Sequence, residues 1–457
     1  MKGQLYAMVQ EDVGGFAEDV VIEDRVVKST VQDLEIPNVD FATFLRDTCE
    51  NEPDATALID ASTGRRYTGA ELKSTCESIA AGFQQMGLVP GDMVAFVSAN
   101  SVDLVMAFIA TIFAGAKIVC AKTTYNEREM TRLLKMTKPT VVYCDMQNVE
   151  KVKAISKDVP SVKAVVTTGD CEGTANFAAL KETGRHQFER PAPADPQDVL
   201  IVFLSSGSTG LPKPGLITHY NFIAELVTFG YKNEGLRKGD VFLAYLPLMH
   251  SGPIWVLFTA LTHHLQVVML AATDLASLLA PIIKYKVTTL VLYPTHGQHL
   301  VQRGLPASLD VSSVQYIFIA GSSIPPQILR QLAQLFSKCI IIHGYGLTEV
   351  CCAVTHTRGM CPDFKTAGIP MPYVSIKVAD VETGEKMGPG ECGEICIKGP
   401  TCFKGYLDNP EATAAVFDGE GFVRTGDTGY YTARGELYML DRLKDLIKCM
   451  DQQVAPA

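Results

Sequence analysis

The sequence lacks an excess of positive charge, and it lacks the cysteine spacing of a zinc site or a redox pair. Among its 457 residues, 40 are Lys or Arg and 50 are Asp or Glu, which gives a formal net charge of −10. No basic run is present, so we expect no nucleic-acid partner. The 13 cysteines are scattered and form no C-x-x-C pair. This usage predicts reduced thiols and an intracellular protein.

Uninterrupted apolar segments are also scarce. The N-terminus contains no apolar core long enough for a secretion signal. Residues 104–121 have the length of a transmembrane helix, but Gly115 and Lys117 interrupt them. They divide better into a helix capped at Asn100 or Ser101, a glycine stop and a short buried strand. We therefore expect no transmembrane segment.

Most of the chain alternates between strand and helix patterns. Its length is enough for two or three hydrophobic cores. Thr68 and Glu71 have the spacing of a capping box in front of an amphipathic helix. Continuous apolar runs alternating with helical patterns predict parallel strands covered on both faces, that is, an α/β fold of layered sheets. The clearest strand runs are residues 287–292, 316–319 and 340–342.

The pattern changes after about Thr366. Short alternating runs appear at residues 394–398 and 436–440, and Gly and Pro turns separate them. Alternation of this kind predicts an antiparallel β unit. We expect a small β-barrel subdomain over residues 366–440.

The most informative stretch is LSSGSTGLPK, residues 204–213, which follows an apolar strand run. Backbone amides and hydroxyls of such a loop can surround phosphate oxygens, and Lys213 adds a positive charge. The loop is not a G-x-x-x-x-G-K-[ST] motif, because Pro212 precedes the lysine and Pro214 follows it. A flexible Gly/Ser loop without a ligand is the alternative. The predicted polyphosphate ligands, with ATP as the expected ligand, are Ser205, Ser206, Gly207, Ser208, Thr209, Gly210 and Lys213.

Further polar segments follow other predicted strands. AGSS at residues 320–323 and HGYGLTE at residues 343–349 come directly after apolar runs. Ligands of open α/β sheets bind beyond the carboxyl ends of the strands. We therefore expect these segments and the phosphate loop to share one crevice.

Five motifs in one order carry a family resemblance. They are residues 204–213, GYGLTE at 344–349, residues 390–413, RTGD at 424–427 and DRLKDLIK at 441–448. Together they resemble the adenylate-forming superfamily, which includes acyl-CoA synthetases, 4-coumarate–CoA ligases, luciferases and adenylation domains of peptide synthetases. The resemblance runs from about Phe41 to the last residue, and the 4-coumarate–CoA ligase and luciferase branch is the most similar.

The resemblance implies a large N-terminal AMP-binding domain over residues 1–440. Residues 441–457 would be the hinge and the stub of a C-terminal domain, which in such enzymes carries a catalytic lysine. It implies a two-step reaction, in which a carboxylate attacks Mg-ATP to give an acyl-adenylate and the thiol of coenzyme A then displaces AMP. A fatty or aryl acid is the expected substrate, and Mg²⁺ the expected metal. The alternatives are a luciferase-like monooxygenase and a nucleotide-binding protein without turnover. The expected location is intracellular, in the cytoplasm or in the peroxisome.

The resemblance also implies a role for each matching residue. Glu349 would hold Mg²⁺, Thr348 would contact phosphate, and His250 would lie near the substrate carboxylate; these three are the candidate catalytic residues. Tyr345 would lie against the adenine, while Asp427 would bind the ribose. Further nucleotide contacts would be Gly321, Ser322, Ser323, Gly344, Gly346 and Arg442. The acyl pocket would be formed by His250, Trp255, Ser323, Gly346 and Leu347.

Each of these residues also has an ordinary structural interpretation: a packed aromatic, a core histidine, a turn aspartate or a helix cap. Two departures from the family pattern matter. Pro214 stands where a glycine is usual, and it restricts Lys213 to extended backbone. Asp451 brings a side chain and a negative charge to a position that is usually glycine, which bears on the coenzyme A step.

Overall fold

The computed structural model describes residues 19–183, 187–205, 212–231, 236–271, 275–306, 309–357 and 364–443, together with two short strands beyond them. The helices are α1 (Phe41–Asn51), α2 (Gly69–Gln85), α3 (Val102–Phe113), α4 (Glu127–Thr137), α5 (Val149–Ser156), α6 (Phe177–Thr183), α7 (His219–Phe229), α8 (Ser251–Thr262), α9 (Leu275–Tyr285), α10 (Pro294–Arg303), α11 (Pro326–Leu335) and α12 (Pro410–Val416).

The strands up to the phosphate-loop region are β1 (Val20–Glu23), β2 (Val26–Ser29), β3 (Thr56–Asp60), β4 (Arg66–Thr68), β5 (Met93–Val97), β6 (Lys117–Cys120), β7 (Val141–Cys144), β8 (Ala164–Thr167), β9 (Ala175–Asn176), β10 (Val199–Ser205) and β11 (Lys213–Thr218). Those that follow are β12 (Val241–Ala244), β13 (Gln266–Met269), β14 (Thr289–Leu292), β15 (Tyr316–Ile319), β16 (Ile340–Tyr345), β17 (Thr355–His356), β18 (Ile369–Pro370), β19 (Ser375–Ala379), β20 (Gly393–Lys398), β21 (Gly405–Tyr406), β22 (Val423–Tyr431), β23 (Leu437–Arg442), β24 (Ile447–Cys449) and β25 (Gln452–Val454).

The predicted layered α/β architecture is confirmed. One sheet has the order β21-β11-β10-β6-β5-β7-β8-β9, and a second has the order β18-β17-β16-β15-β14-β12-β13-β3-β4. Their central strands are parallel, including the predicted β14, β15 and β16. Helix α3 contacts β6 of the first sheet and β3 of the second, and its residues are almost all buried. The main hydrophobic core therefore lies between the two sheets.

Local signals set the helix boundaries. The Thr68 hydroxyl accepts a hydrogen bond from the Glu71 amide at 3.2 Å, and the Glu71 carboxylate accepts one from the Thr68 amide at 2.9 Å, so the capping box is confirmed. Ser101 caps α3, and Gly115 with φ +72° ends it before β6. None of the helices in the described ranges is both long and apolar enough to cross a bilayer.

The antiparallel unit predicted after Thr366 is a six-stranded sheet of the order β1-β2-β19-β20-β22-β23. Two of its strands come from the N-terminal end of the chain, which the sequence analysis did not predict. β2 pairs with β19 through Val27 opposite Ile376. The N-terminal hairpin therefore completes a subdomain whose other strands lie more than 300 residues away.

Two strands differ from their predicted bounds in a way that affects the site. β14 begins at Thr289 instead of residue 287. β16 runs on to Tyr345, because Gly344 and Tyr345 pair with His356 and Thr355 of β17. Gly344 and Tyr345 therefore belong to a strand end, whereas the sequence analysis placed them in the loop after it.

Candidate active site

The two ends of the predicted phosphate loop are held by adjacent strands. Ser205 is the last residue of β10, Lys213 is the first residue of β11, and the two stand opposite each other in the antiparallel ladder. Lys213 has the extended backbone that Pro214 was predicted to impose. The remaining loop residues lie outside the described ranges: Ser206, Gly207, Ser208, Thr209 and Gly210.

Glu349 is the centre of a first cluster, which we call the Glu349 cluster (Ser205, Lys213, Glu349 and Tyr406). Its side chain is buried, with 8% exposed, on a 3₁₀ turn over Thr348–Val350. The Ser205 hydroxyl and the Tyr406 hydroxyl, the latter at 2.8 Å, both donate to Oε1 of Glu349. The Lys213 ammonium lies 5.3 Å from the centre of the Tyr406 ring. Ser205, Lys213 and Glu349 were predicted to share a site, and they come together here.

The Glu349 cluster can provide one oxygen ligand for Mg²⁺. Both donors use Oε1 of Glu349, and Oε2 accepts no hydrogen bond from a residue in the described ranges. A carboxylate oxygen is the hard ligand that Mg²⁺ prefers, and this ion keeps several waters or phosphate oxygens when proteins bind it. Within the described ranges no group of three or more His, Cys, Asp or Glu side chains surrounds a metal position. Of the described residues in this cluster, Glu349 is the one with a carboxylate to offer Mg²⁺.

Tyr406 was missed by the sequence analysis. It lies in the motif of residues 390–413, for which no role was assigned, and its strand β21 pairs with β11 through Gly215. Burial raises the pKa of the Tyr406 hydroxyl, and the negative charge of Glu349 raises it further. The hydroxyl therefore stays protonated and donates to the carboxylate.

Asp427 is the centre of a second cluster, the Asp427 cluster (Tyr345, Asp427 and Arg442). The Tyr345 hydroxyl donates to Oδ2 at 2.7 Å, and Nε of Arg442 lies 2.8 Å from Oδ1. Asp427 and Arg442 stand opposite each other in β22 and β23, and the Asp427 side chain is buried. Burial and the charge of Asp427 raise the pKa of Tyr345 well above its ordinary value. The carboxylate is thus fixed from both sides.

The 3₁₀ turn joins the two clusters. It contacts both β10 and β22, and it follows Tyr345 at the end of β16. Gly346 allows this close folding, because a Cβ there would lie 1.6 Å from the carbonyl oxygen of Cys352. A Cβ on Gly344 would lie 2.1 Å from the carbonyl oxygen of Thr355. Both glycines are required by the chain's own packing, a reason that the sequence analysis did not give.

The segment after β15 also lies at this edge of the second sheet. Gly321 has φ +104°, a conformation that favours glycine, and its position faces the ring of Tyr293. Ser322 is half-buried and Ser323 is exposed. β15 and β16 are parallel neighbours, so the segments that follow them leave the same edge of the sheet.

Of the predicted acyl-pocket residues, Gly346 and Leu347 directly precede the 3₁₀ turn, and His250 and Trp255 lie at the start of α8. The Asn100 side chain bonds to the backbone of Leu246 and Leu248 at 2.8 and 3.0 Å, which fixes the loop in front of His250. His250 precedes α8 and is half-buried. A Cβ on Gly252 would lie 3.9 Å from the sulfur of Cys352, so the first turn of α8 faces the segment after the 3₁₀ turn.

Trp255 lies in the next turn of α8 and is buried. The ring of Phe229 contacts it edge-on at a centroid distance of 4.5 Å. Its indole N–H has no hydrogen-bond partner among the residues that the structure describes. Leu347 is half-buried beside exposed Gly346.

Comparisons with known proteins show which family the chain belongs to. The sequence model of the AMP-binding enzyme family matches residues 45–407. The chain is 29% identical to 4-coumarate–CoA ligase 3 of Arabidopsis thaliana over 446 residues, covering 95% of this chain and 79% of that protein. It is 31% identical to luciferin 4-monooxygenase of Nipponoluciola cruciata over 417 residues, covering 88% and 76%.

A solved structure shares the fold as well. The long-chain-fatty-acid–CoA ligase of Archaeoglobus fulgidus superposes with a TM-score of 0.83 at 25% identity, covering 90% of this chain and 86% of that one. The family match spans most of the chain and includes the Glu349 cluster. The chain belongs to the AMP-binding enzyme family, within the adenylate-forming superfamily.

Proposed function

We propose that this protein is an acid–thiol ligase, which activates a carboxylic acid with ATP and passes the acyl group to the thiol of coenzyme A. The observation that carries the proposal is the Glu349 cluster at the end of β10, one short turn from the Asp427 cluster. The Glu349 carboxylate, Lys213 and the Asp427 carboxylate, which Tyr345 and Arg442 hold, would then bind the same ligand. This arrangement suits one nucleotide extended from phosphates to ribose.

The first half-reaction needs charge neutralisation and alignment more than proton transfer. The substrate carboxylate attacks the α-phosphorus, the bond from that phosphorus to the bridging oxygen breaks, and pyrophosphate leaves. Oε2 of Glu349 would ligate the Mg²⁺ that neutralises the phosphate oxygens, and Thr348 would contact the same phosphates. Ser205 and Tyr406 hold the carboxylate in place, and Lys213 adds positive charge where pyrophosphate departs.

The Asp427 cluster suits the nucleoside half. A carboxylate oxygen accepts more than one hydrogen bond, so Asp427 can accept ribose hydroxyls while it keeps Tyr345 and Arg442. The ring of Tyr345 would lie against the adenine, next to the segment of Gly321, Ser322 and Ser323. We assign the nucleotide to these residues and to Gly344 and Gly346.

For the acid substrate we propose a fatty or aryl carboxylate. The acyl pocket that we propose combines the apolar side chains of Trp255 and Leu347 with His250, Ser323 and Gly346. Two proteins similar to this chain are named as ligases of 4-coumarate and of long-chain fatty acids. The free thiols of the described cysteines suit a reducing compartment inside the cell.

A luciferase-like monooxygenase is the second candidate, because the chain is 31% identical to a luciferin 4-monooxygenase. Both candidates form an acyl-adenylate first and differ in the second step. In the second step of the ligase, a thiol attacks the acyl-adenylate. In the second step of the monooxygenase, the acyl-adenylate reacts with O₂.

The test is an ATP–pyrophosphate exchange assay on the full chain with a panel of fatty and cinnamic acids. Positive acids are then incubated with ATP and coenzyme A, and the thioester is measured by mass spectrometry; a parallel reaction with luciferin records light. Exchange with thioester formation supports the ligase, and light without thioester supports the monooxygenase. Measurable MgATP binding without exchange for any acid would contradict both and leave nucleotide binding alone.

A further inference from the structure

Glu225 is a buried carboxyl group to which neither the family resemblance nor the proposed reaction gives a role. It lies in α7, and none of its side-chain surface is exposed. Its Oε1 accepts one hydrogen bond, from the Ala353 amide at 2.7 Å. Its Oε2 has no hydrogen-bond partner among the described residues. Buried polar atoms are nearly always paired, so a half-satisfied carboxyl group in a core needs an explanation.

Ala353, whose amide donates to Glu225, follows a strained turn. Cys351 has φ +71°, which is rare for a residue other than glycine. The next amide, of Cys352, folds back to the carbonyl of Val350 at 3.0 Å, and the Cys352 carbonyl packs over Gly346. The backbone thus reverses directly behind the 3₁₀ turn that carries Thr348 and Glu349. Strain of this kind persists only where the surrounding structure holds it.

Glu225 supplies part of that support from outside the segment, and the Phe403 amide, which donates to the Glu349 carbonyl at 2.9 Å, supplies another part. In the described part of the chain, no other side chain hydrogen-bonds to the backbone of residues 347–353. α7 begins directly after β11, the strand that carries Lys213, and it contacts both β11 and β10. The bond from Ala353 to Glu225 therefore ties the Glu349 turn to the helix that follows the phosphate-loop strands.

We infer that Glu225 is a positioning residue, which acts through the Ala353 amide to hold the turn of Thr348 and Glu349 toward the nucleotide. The expected effect on kinetics rests on the proposed function. The effect of Glu225 on the position of the turn does not depend on that function. Burial raises the pKa of Glu225 well above its ordinary value, against the opposing effect of the Ala353 amide. Glutamine is then a close replacement, because its amide oxygen can accept the same bond.

The test compares the wild type with Glu225→Gln, Glu225→Leu and Glu225→Met. Thr111→Val serves as the matched control, since Thr111 is equally buried and its hydroxyl bonds only within α3, to the Ala107 carbonyl at 2.8 Å. Two properties are measured on each folded variant. The first is kcat and KM for MgATP in acid-dependent pyrophosphate release, and the second is alkylation of buried Cys351 by iodoacetamide, quantified by peptide mapping.

We expect Glu225→Leu to lower kcat/KM for MgATP at least tenfold and to raise Cys351 alkylation at least tenfold. Glu225→Gln should restore both to within threefold of the wild type, and Thr111→Val should change neither. Wild-type kinetics and Cys351 protection in folded Glu225→Leu would overturn the inference. So would unfolding of both Glu225→Leu and Glu225→Met while Glu225→Gln folds, because the bond would then support the whole fold. If the wild type itself shows no turnover, the proposed function fails, and alkylation still tests the turn.

Discussion

Replacing Asp427 should weaken ATP binding more than it weakens the fold. In the structure its two carboxylate oxygens each receive one protein donor and keep acceptor capacity for two ribose hydroxyls. A hydrogen bond to a charged group contributes about 1.5–3 kcal/mol. Asp427→Ala removes two such bonds to ATP, so we expect a loss of about 3–6 kcal/mol. At about 1.4 kcal/mol for each tenfold change, the Kd for ATP rises at least ~100-fold.

The cost to stability is smaller. Arg442 is partly exposed, so its ion pair with Asp427 contributes about 1 kcal/mol at most. The bond from Tyr345 contributes about 1–2 kcal/mol. We therefore expect Asp427→Ala to lower the free energy of unfolding by about 2–3 kcal/mol, measured by urea denaturation, and to remain folded at 25 °C.

Isothermal titration of ATP into the variants is the assay. Tyr345→Phe removes only the hydroxyl donor and keeps the ring, so its Kd should stay within about threefold of the wild type, since one neutral donor is lost and the ribose ligand remains. Asp380→Ala is the matched control. This carboxylate also holds backbone amides of the β subdomain, those of Glu382 and Thr383 at 3.0 and 2.7 Å, and it should leave the Kd unchanged. An unaltered Kd in folded Asp427→Ala would refute the ribose assignment.

Three further outcomes are expected. Glu349→Gln keeps an oxygen that can accept from Ser205 and Tyr406, but it loses the charge that would bind Mg²⁺. Pyrophosphate exchange should therefore fall at least ~100-fold while the fold stays intact. Unchanged exchange would remove the metal assignment. Lys213→Met should lower exchange about 100-fold, and Mg²⁺ in excess should not restore it; full activity would mean that the lysine does not reach pyrophosphate. Asp418→Asn should destabilise the protein by about 1.5–3 kcal/mol at pH 7, because the buried ammonium of Lys377, 2.6 Å away, loses one of its two carboxylate partners and keeps Glu420 at 2.9 Å. That last effect should shrink in urea titrations as the pH falls through the lowered folded-state pKa of Asp418.

The sign of the pH dependence follows from Asp418 itself. Burial opposes its charge, but the Lys377 ammonium and the backbone amides of Phe422 and Glu420 outweigh burial, so the pKa of Asp418 is lowered. A group with a lowered pKa in the folded state contributes stability that is fully present above its unfolded pKa of about 3.9. That contribution is lost as the pH falls through the lower folded value. If the free energy of unfolding of the wild type does not fall over this pH range, the stabilising role of the Asp418–Lys377 pair is contradicted.

Short-range features were predictable from the sequence. The capping box at Thr68 depends on residues three positions apart, and its hydrogen bonds are found as predicted. Apolar runs followed by polar segments correctly predicted that the segments containing Ser205, Gly321 and Glu349 lie at the ends of strands in layered sheets. Pro214 fixes its neighbour's backbone by local sterics, so the extended conformation of Lys213 could also be predicted.

Long-range features were not predictable in the same way. Tyr406 is 57 residues from Glu349, and only the pairing of β21 with β11 brings its hydroxyl to the carboxylate. The N-terminal strands join the β subdomain through Val27 and Ile376, although nothing in either run specifies the partner. Glu225 has the pattern of an ordinary polar residue in a helix, and its role depends on which amide the fold places beside it. Such contacts are set by the register of whole sheets.

The most direct test of the central claim is a crystal structure of the protein with MgATP. The account predicts one nucleotide across both clusters, with the Tyr345 ring against the adenine and a ribose hydroxyl about 3 Å from the Asp427 carboxylate. Mg²⁺ should lie about 2.1 Å from an oxygen of Glu349. A nucleotide bound elsewhere, or one that touches neither Glu349 nor Asp427, would contradict the account.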